Sequence, residues 1–461
     1  MMLRPRLVIA GTHSGVGKTT VALALMAALK ARGLAVQPFK AGPDFLDPGH
    51  HQLVTGRPSR NLDGWMVDER ANRAIFSRAS ADTDLSLIEG MMGLFDGSSP
   101  VHERGSTAEL AKQLHAPVLL VIDGSAMARS AAAMASGYAR FDPGLPVQGV
   151  LFNRVQSEGH YCLLKEAVEA ETDLAVVGYL RPDASVTIPD RHLGLRTALE
   201  TGHCDLYDRL GQSAAQTIDL DRVVALARSA GRLVAEPPAD PVVGGRQEKV
   251  CVGLAYDAAF CFYYQDNLEL LEAAGADIVR FSPMHDARLP EVDLLYFGGG
   301  YPELYGPALE CNVSMRADVK RFSDSGGAVY AECGGLMYLT QAIRAGGRRC
   351  EMVGVFPAEA VMRVSGMTLG YRTVETVRAC LLGPAGTSVR GHEFHYSVLE
   401  PKGEVSYACA LADAAGQPVG RDGLMKGNTL ALYSHQHFGS NPEIAGYLLK
   451  GARQERAARQ V

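Results

Sequence analysis

No apolar run in this sequence approaches the roughly 18–20 residues needed to cross a bilayer, and no signal-like segment precedes its first strand-like stretch. A membrane-spanning chain is thereby excluded, and a cytoplasmic location is expected. No CxxC pair occurs among the nine cysteines, at 162, 204, 251, 261, 311, 333, 350, 380 and 409. An odd, unpaired set reads as reduced thiols, at most one of them chemically active. Neither sign of charge is in real excess: 45 Lys and Arg stand against 51 Asp and Glu, a net −6. That balance gives no electrostatic footprint for nucleic acid. Internal repeats are also lacking. What is present is ordinary globular composition, 47% apolar and 21% charged, in 461 residues. Such a length is too great for one ordinary core and calls for two or more domains.

The chain is organised around its start. Leu7–Ala10 reads as a buried strand, and Gly11-Thr12-His13-Ser14-Gly15-Val16-Gly17-Lys18-Thr19-Thr20 turns from it into the helical stretch Val21–Arg32, ended by Gly33. Strand, Gly-rich loop and helix in this order form a phosphate cradle. Backbone N–H groups and the helix dipole converge there on negative charge. Gly15 and Gly17 permit the close approach, Lys18 would reach the β- and γ-phosphates, and Thr19 would ligate Mg²⁺. The strict pattern wants Gly where this chain has Thr12. A ParA/MinD-like switch ATPase would share the cradle, but it carries a second lysine at the place of His13.

The first half alternates strand-like and helical segments, which predicts an α/β fold with a doubly wound, largely parallel sheet. Ligands bind beyond the carboxyl ends of such strands. Three carboxylates stand there: Asp44 in Ala41–His50, read as a loop, and Glu89 and Asp96 in Glu89–Gly97. Asp44 and Glu89 beside Thr19 would supply the hard oxygens that Mg²⁺ needs. The bland reading of Asp44 and Asp96 is that of turn formers beside Pro and Gly. Asp47, before Pro48, reads as structural. Arg191 and His192 could hold an acidic substrate or be ordinary polar loop residues.

The segment 235–249, rich in Pro, Gly and charge, reads as a linker between domains at 1–234 and 250–461. The second half opens with a strand, Val250–Ala255, and later carries Gly298-Gly299-Gly300-Tyr301-Pro302-Glu303. Its informative stretch is Gly327–Leu339, an apolar strand, one cysteine (Cys333), two glycines and a helical continuation. That is the pattern of a nucleophile elbow, with the thiol exposed at a helix N-terminus that lowers its pKa. A thiol needs a base, and Leu432–Phe438 offers His435 and His437. On a strand these two face opposite ways, so only one can meet Cys333. Zinc at this pair is a weak reading, since no companion ligands accompany them. The role of Arg390–Ser397, with its His-Glu-Phe-His run, is not readable from spacing.

In order along the chain, GTxSGxGKTT, GPDFLDPGH, EGMMGLFDG, FNRV, IPDRHLGL, GGGYPE, YAECGGLMYL, HEFHYS and YSHQHF resemble the cobyrinic/hydrogenobyrinic acid a,c-diamide synthases. In that family a dethiobiotin-synthetase-like ATP-binding domain is joined to a class I glutamine amidotransferase-like α/β domain. The resemblance implies ATP as co-substrate, held at Gly15, Gly17, Lys18, Thr19 and Thr20, with adenine contact by Asn153. It implies Mg²⁺ and phosphoryl-transfer roles for Asp44, Glu89 and Asp96. Cys333 becomes the glutaminase nucleophile and His435 its activator. The implied reaction is glutamine-dependent amidation of a corrinoid polyacid through an acyl phosphate, within cobalamin biosynthesis, without nucleic-acid or membrane partners. Ni-sirohydrochlorin a,c-diamide synthesis is the alternative within this class. The oligomeric state is left open, a homodimer included. Two departures stand out from ordinary class I glutaminases: Ala331 replaces a glycine of G-x-C-x-G, and His437 occupies the place of the triad glutamate. The partner that orients His435 is therefore unassigned by the sequence.

Overall fold

The strand predicted at the chain start forms at Arg6–Gly11 (β1) and is buried along its whole length. A computed structural model of the chain describes residues 4–183, 190–191, 194–195, 197–201, 204–234 and 248–459. It divides into two units, Met1–Pro238 and Ala239–Val461. In the first, β1 is joined by Val36–Ala41 (β2), Arg60–Leu62 (β3), Leu85–Glu89 (β4), Val118–Asp123 (β5), Val147–Asn153 (β6) and Ala175–Tyr179 (β7). These make one parallel sheet in the order β3-β2-β4-β1-β5-β6-β7. Both faces are apolar. Val8 and Ala10 pack with Ile88, Leu120 and Phe152 on one side, while Leu7 and Ile9 pack with Leu25, Leu29 and Leu119 on the other. Covering helices on both faces follow from that two-sided burial.

Two helices of this unit place its candidate site. Lys18–Ala31 (α1) starts directly after the Gly-rich loop and buries Val21, Leu25 and Leu29 against the sheet. Leu46–Thr55 (α2) corrects the reading of Ala41–His50 as a loop. Its start is set by Asp44, whose Oδ1 accepts from Leu46 N–H at 2.7 Å and from Asp47 N–H at 3.4 Å. Pro48 falls in the first turn, where its missing N–H is not needed. Asp-Pro-Gly reads as a turn in isolation, and the cap overrides it.

The second unit carries Val250–Ala255 (β8), Ala276–Phe281 (β9), Leu294–Phe297 (β10), Ala328–Glu332 (β11), Thr368–Thr376 (β12), Ser388–His395 (β13), Tyr407–Ala412 (β14), Pro418–Lys426 (β15), Thr429–Leu432 (β16) and His435–Gln436 (β17). Their order is β9-β8-β10-β11-β16-β15-β14-β12-β13-β17. The run from β9 to β16 is parallel, and the rest is antiparallel. Again two apolar layers flank the sheet, one built on Val252, Leu254, Tyr296 and Tyr330, the other on Leu295, Phe297, Val329 and Ala331. The short helix Gly334–Leu339 (α3) follows β11 after one residue, Cys333. Among the described residues no helix is long and apolar enough to cross a membrane. His192, most of the linker 235–249 and much of the motif around Arg191 lie outside the described residues.

Candidate active sites

Each unit gathers its polar side chains where the strands of its sheet end. In the first, the loop between β1 and α1 takes its shape from Gly15 at φ 82° and Gly17 at φ 95°. A Cβ at Gly17 would stand 2.1 Å from Asn153 Nδ2, so only glycine fits there. The Asn153 amide donates to Val16 O at 2.9 Å and braces the loop from behind. Arg154 holds the opposite rim, donating to Gly15 O at 2.7 Å and pairing with Asp123 at 2.5 Å. No side chain caps the N-terminus of α1, and the half-buried Thr20 lies in its first turn. The backbone is thus shaped for an anion, as a nucleotide polyphosphate requires. The Lys18 ammonium donates to Met92 O at 2.5 Å. Burial and the neighbouring Lys40 push its pKa down, with Glu89, Asp47 and Asp96 acting in opposition.

Beside it lies a buried cluster assembled from β2, α2 and β4. Thr19 Oγ1 donates to Glu89 Oε1 at 2.6 Å, and its hydroxyl stands 3.3 Å from Asp47 Oδ2. Lys40 Nζ donates to Asp47 Oδ2 at 2.5 Å and Glu89 Oε1 at 3.0 Å, with Asp44 at 3.7 Å. His51 Nε2 meets Glu89 Oε2 at 2.7 Å. For Glu89, burial alone would raise the pKa, but Lys40, His51 and Thr19 outweigh it and hold the carboxyl well below its usual range. Asp47 goes the other way, raised by burial and by Asp44 and Glu89. Three carboxylates face one lysine, an excess of hard anionic oxygen beside a threonine hydroxyl. That donor set suits Mg²⁺. Among the described residues no three His, Cys, Asp or Glu converge as a metal cage. A magnesium ion completed by water and phosphate needs no such cage.

The sequence candidates therefore divide. Glu89 is central and fully buried. Asp44 is half-buried and caps α2 while facing Lys40. Asp96 is exposed and accepts from Gly93 N–H at 2.9 Å, the bond of a turn former, although its charge is felt at Lys18. Lys40, His51 and Asp47 were missed or read as structural. A signal existed: β2 and β4 are apolar strands that each carry a charged residue at the carboxyl end, where burial makes charge costly.

In the second unit, Cys333 sits between β11 and α3 at φ 47°, ψ −104°. A non-glycine residue held there stores about 1–3 kcal/mol of strain, as in a nucleophile elbow. Its N–H donates to Leu432 O at 2.7 Å. Gly334 lies so close to the Gly300 backbone that a Cβ on it would be 3.1 Å from Gly300 N. The expectation of a lowered thiol pKa is corrected. Cys333 is only 6% exposed, and α3 has six residues. Burial pushes the thiol above its usual range, Glu303 and Glu332 add to that, and the Gly334 N–H only partly opposes it.

His435 follows β16, the strand paired with β11, and is buried. Its ring stacks on His392 with centroids 4.9 Å apart, and a Cβ at Gly299 would lie 2.4 Å from its Cε1. Burial, His392 and His395 hold its pKa well below normal. His437 turns elsewhere: its ring packs 4.7 Å from Tyr264, and its Nδ1 accepts from Gly439 N–H at 3.1 Å. Burial pushes it down to about 4. The His-Glu-Phe-His run lines this side of the site. His392 Nδ1 lies 2.9 Å from Tyr264 OH, His395 stacks on Tyr433 at 4.1 Å, and Arg372 donates to Glu393 at 2.5 Å. Glu332, unassigned by the sequence, is buried with its Oε2 3.9 Å from His435 Nδ1.

Residues 7–195 match the CobQ/CobB/MinD/ParA nucleotide binding domain family, and residues 251–443 match the CobB/CobQ-like glutamine amidotransferase domain family. A cobyrinate a,c-diamide synthase of Listeria monocytogenes serotype 4b is 43% identical over 95% of this chain and 97% of its own length. The enzyme of that name from Syntrophotalea carbinolica is 45% identical over 96% and 97%. That of Methanosarcina acetivorans is 42% identical over 99% and 97%.

Proposed function

The chain belongs to the cobyrinate a,c-diamide synthase family, and we propose from that premise that it amidates the a and c acetate carboxylates of a corrinoid, hydrogenobyrinic or cobyrinic acid. It is a glutamine-dependent amidating ligase of cobalamin biosynthesis with ATP as co-substrate. One observation carries the reading: a single chain holds both a phosphate cradle and a buried thiol elbow. A carboxylate does not react with ammonia directly, because oxide would have to leave. Phosphorylation by ATP supplies a better leaving group, and the thiol half supplies the nitrogen.

In the amidotransferase unit, Cys333 gives its proton to His435 and attacks the glutamine side-chain amide. The N–H groups of Gly300 and Gly334 face the developing oxyanion. Ammonia leaves, and water releases glutamate from the thioester. In the nucleotide-binding unit, the loop N–H groups and Lys18 hold the triphosphate of ATP. The substrate carboxylate attacks the γ-phosphate and expels ADP, Lys18 and Lys40 offset the charge there, and ammonia then displaces phosphate from the acyl phosphate. Thr19, Asp47 and Glu89, with Asp44 3.7 Å from the Lys40 that Asp47 and Glu89 share, would hold Mg²⁺, whose chemistry is to neutralise charge on the β- and γ-phosphates.

Steady-state turnover with metal-free or cobalt-containing corrinoid, ATP and glutamine tests this, with mono- and diamide products separated by chromatography. Diamide from either corrinoid supports the reading and identifies the substrate. Amidation of Ni-sirohydrochlorin in place of both would overturn it.

A further inference from the structure

We propose that Glu332, the residue immediately before the nucleophile, is the positioning carboxylate for His435. This rests on the reading of Cys333 and His435 as the glutaminase pair. The place next along the chain from the base holds His437, whose ring is turned to Tyr264, so a carboxylate partner has to come from another strand. Glu332 ends β11 and is in register with Leu432, at the end of β16. Its backbone leads directly into the elbow, while its buried side chain brings Oε2 to 3.9 Å from His435 Nδ1.

Three donors fix that side chain. Tyr330 OH donates to Oε1 at 2.7 Å, Gln436 N–H to Oε1 at 3.0 Å, and Tyr296 OH to Oε2 at 3.2 Å. They come from β11, β17 and β10, so the carboxylate cannot swing away without breaking contacts to three strands. Among the described residues, His435 is the basic side chain within 4.0 Å of it, at 3.9 Å through Nδ1. The ring has equally little freedom, with His392 stacked on it and Gly299 passing at van der Waals range. Catalytic hydrogen bonds are commonly long before substrate binds and shorten in the reacting complex.

The need for such a partner follows from the surroundings. Transfer of the Cys333 proton to His435 creates an imidazolium in a buried site that already contains His392 and His395. Burial and those rings disfavour it. A carboxylate at Nδ1 offsets that cost and fixes the tautomer that leaves Nε2 as the base. Glu332 faces Tyr296, Tyr330, Asp422, His435 and its neighbour Cys333. Burial raises its pKa to about 7, against the three hydrogen-bond donors. Its ionised form is therefore present above that pH and lost below it, giving glutaminase turnover an acid limb near neutrality.

Glutamate release from glutamine and iodoacetamide alkylation of the Cys333 peptide, followed by mass spectrometry across pH, test the assignment without any corrinoid. Glu332→Gln is expected to lower kcat by about 10²-fold or more with KM little changed. It should also abolish the acid limb near pH 7, and Glu332→Asp should recover part of the rate. If Glu332→Gln does not fold, Tyr330→Phe serves instead. Loss of its hydrogen bond should move the acid limb to higher pH. A kcat within 3-fold of wild type (roughly the ordinary mutational scatter), a loss confined to KM, or an unmoved pH profile in Tyr330→Phe overturns the proposal. Glutamine hydrolysis by Cys333→Ser would instead overturn the underlying reading of the site.

Discussion

Glu89→Gln probes the nucleotide-binding unit most directly. The replacement keeps the shape of the side chain and removes its charge. At present Glu89, fully buried, accepts from Thr19 at 2.6 Å, His51 at 2.7 Å and Lys40 at 3.0 Å. A glutamine offers one acceptor oxygen, which can still take Thr19 and Lys40, and an NH₂ group that His51 can meet only by changing tautomer to accept at Nε2, and all three bonds lose the charge of the carboxylate. Each hydrogen bond to a charged group contributes about 1.5–3 kcal/mol. One-sided removal from a buried pair costs about 3–5 kcal/mol. Lys40 keeps Asp47 at 2.5 Å, so the lower part of that span applies, and we expect a loss of about 2–4 kcal/mol. For a unit of this size that lowers Tm by ~4–16 °C. Calorimetry identifies the relevant transition as the one that ATP raises. The pH dependence has a defined sign. Because the folded pKa of Glu89 is depressed, its contribution is complete above the unfolded value of about 4.3 and fades as pH falls below it. The gap between wild type and Glu89→Gln should be constant from about pH 6 to 8 and narrow below about pH 4. A gap under about 1 kcal/mol at pH 7, or one that does not narrow in acid, would refute the charge argument.

The other expectations are separable. Cys333→Ser should abolish amidation with glutamine yet retain it with ammonium at alkaline pH; loss of both in a folded variant would show that the thiol also serves the synthetase half. Lys18→Ala should reduce amidation from either nitrogen source by about 10²-fold or more, and near-normal ammonium-dependent turnover would remove ATP from this loop. Asp47→Asn should raise the Mg²⁺ concentration needed for half-maximal turnover more than Asp44→Asn does, because Asp47 is nearer to Thr19; the reverse order in a Mg²⁺ titration would reassign the ligand. Asp96→Asn should leave ATP affinity by calorimetry nearly unchanged and slow acyl phosphate formation. Normal diamide formation by that variant would leave Asp96 as the turn former that its bond to Gly93 indicates.

Motifs whose chemistry is local were legible in the chain. The β1–loop–α1 cradle announces itself because strand, glycines, Lys18 and helix are contiguous, and the elbow at Cys333 does so for the same reason. Val250–Ala255 was bounded correctly because an apolar strand between polar segments needs no tertiary information. What escaped depends on contacts across the sheet. Lys40 and His51 meet Glu89 only because β2 and β4 are neighbours, a pairing that no local spacing encodes. Glu332 reaches His435 across about a hundred residues of chain through the β11–β16 register. The lowered thiol pKa was misjudged because a helix terminus is visible in sequence and burial is not. One general signal was available: Lys40, Glu89 and Glu332 all occur at or near the carboxyl end of an otherwise apolar strand, where ligands gather in such sheets.

The bond from Cys333 N–H to Leu432 O joins the residues proposed as nucleophile and base through two residues of neighbouring backbone. The backbone positions of Cys333 and His435 are thereby tied together by the sheet. Burial disfavours the charged form of each side chain, raising the thiol pKa and lowering that of the imidazole. On the proposed roles, much of the cost of forming a thiolate–imidazolium pair then lies in its desolvation. Wasteful turnover should accordingly respond to changes that admit water or charge near His435 more than to changes that loosen the fold.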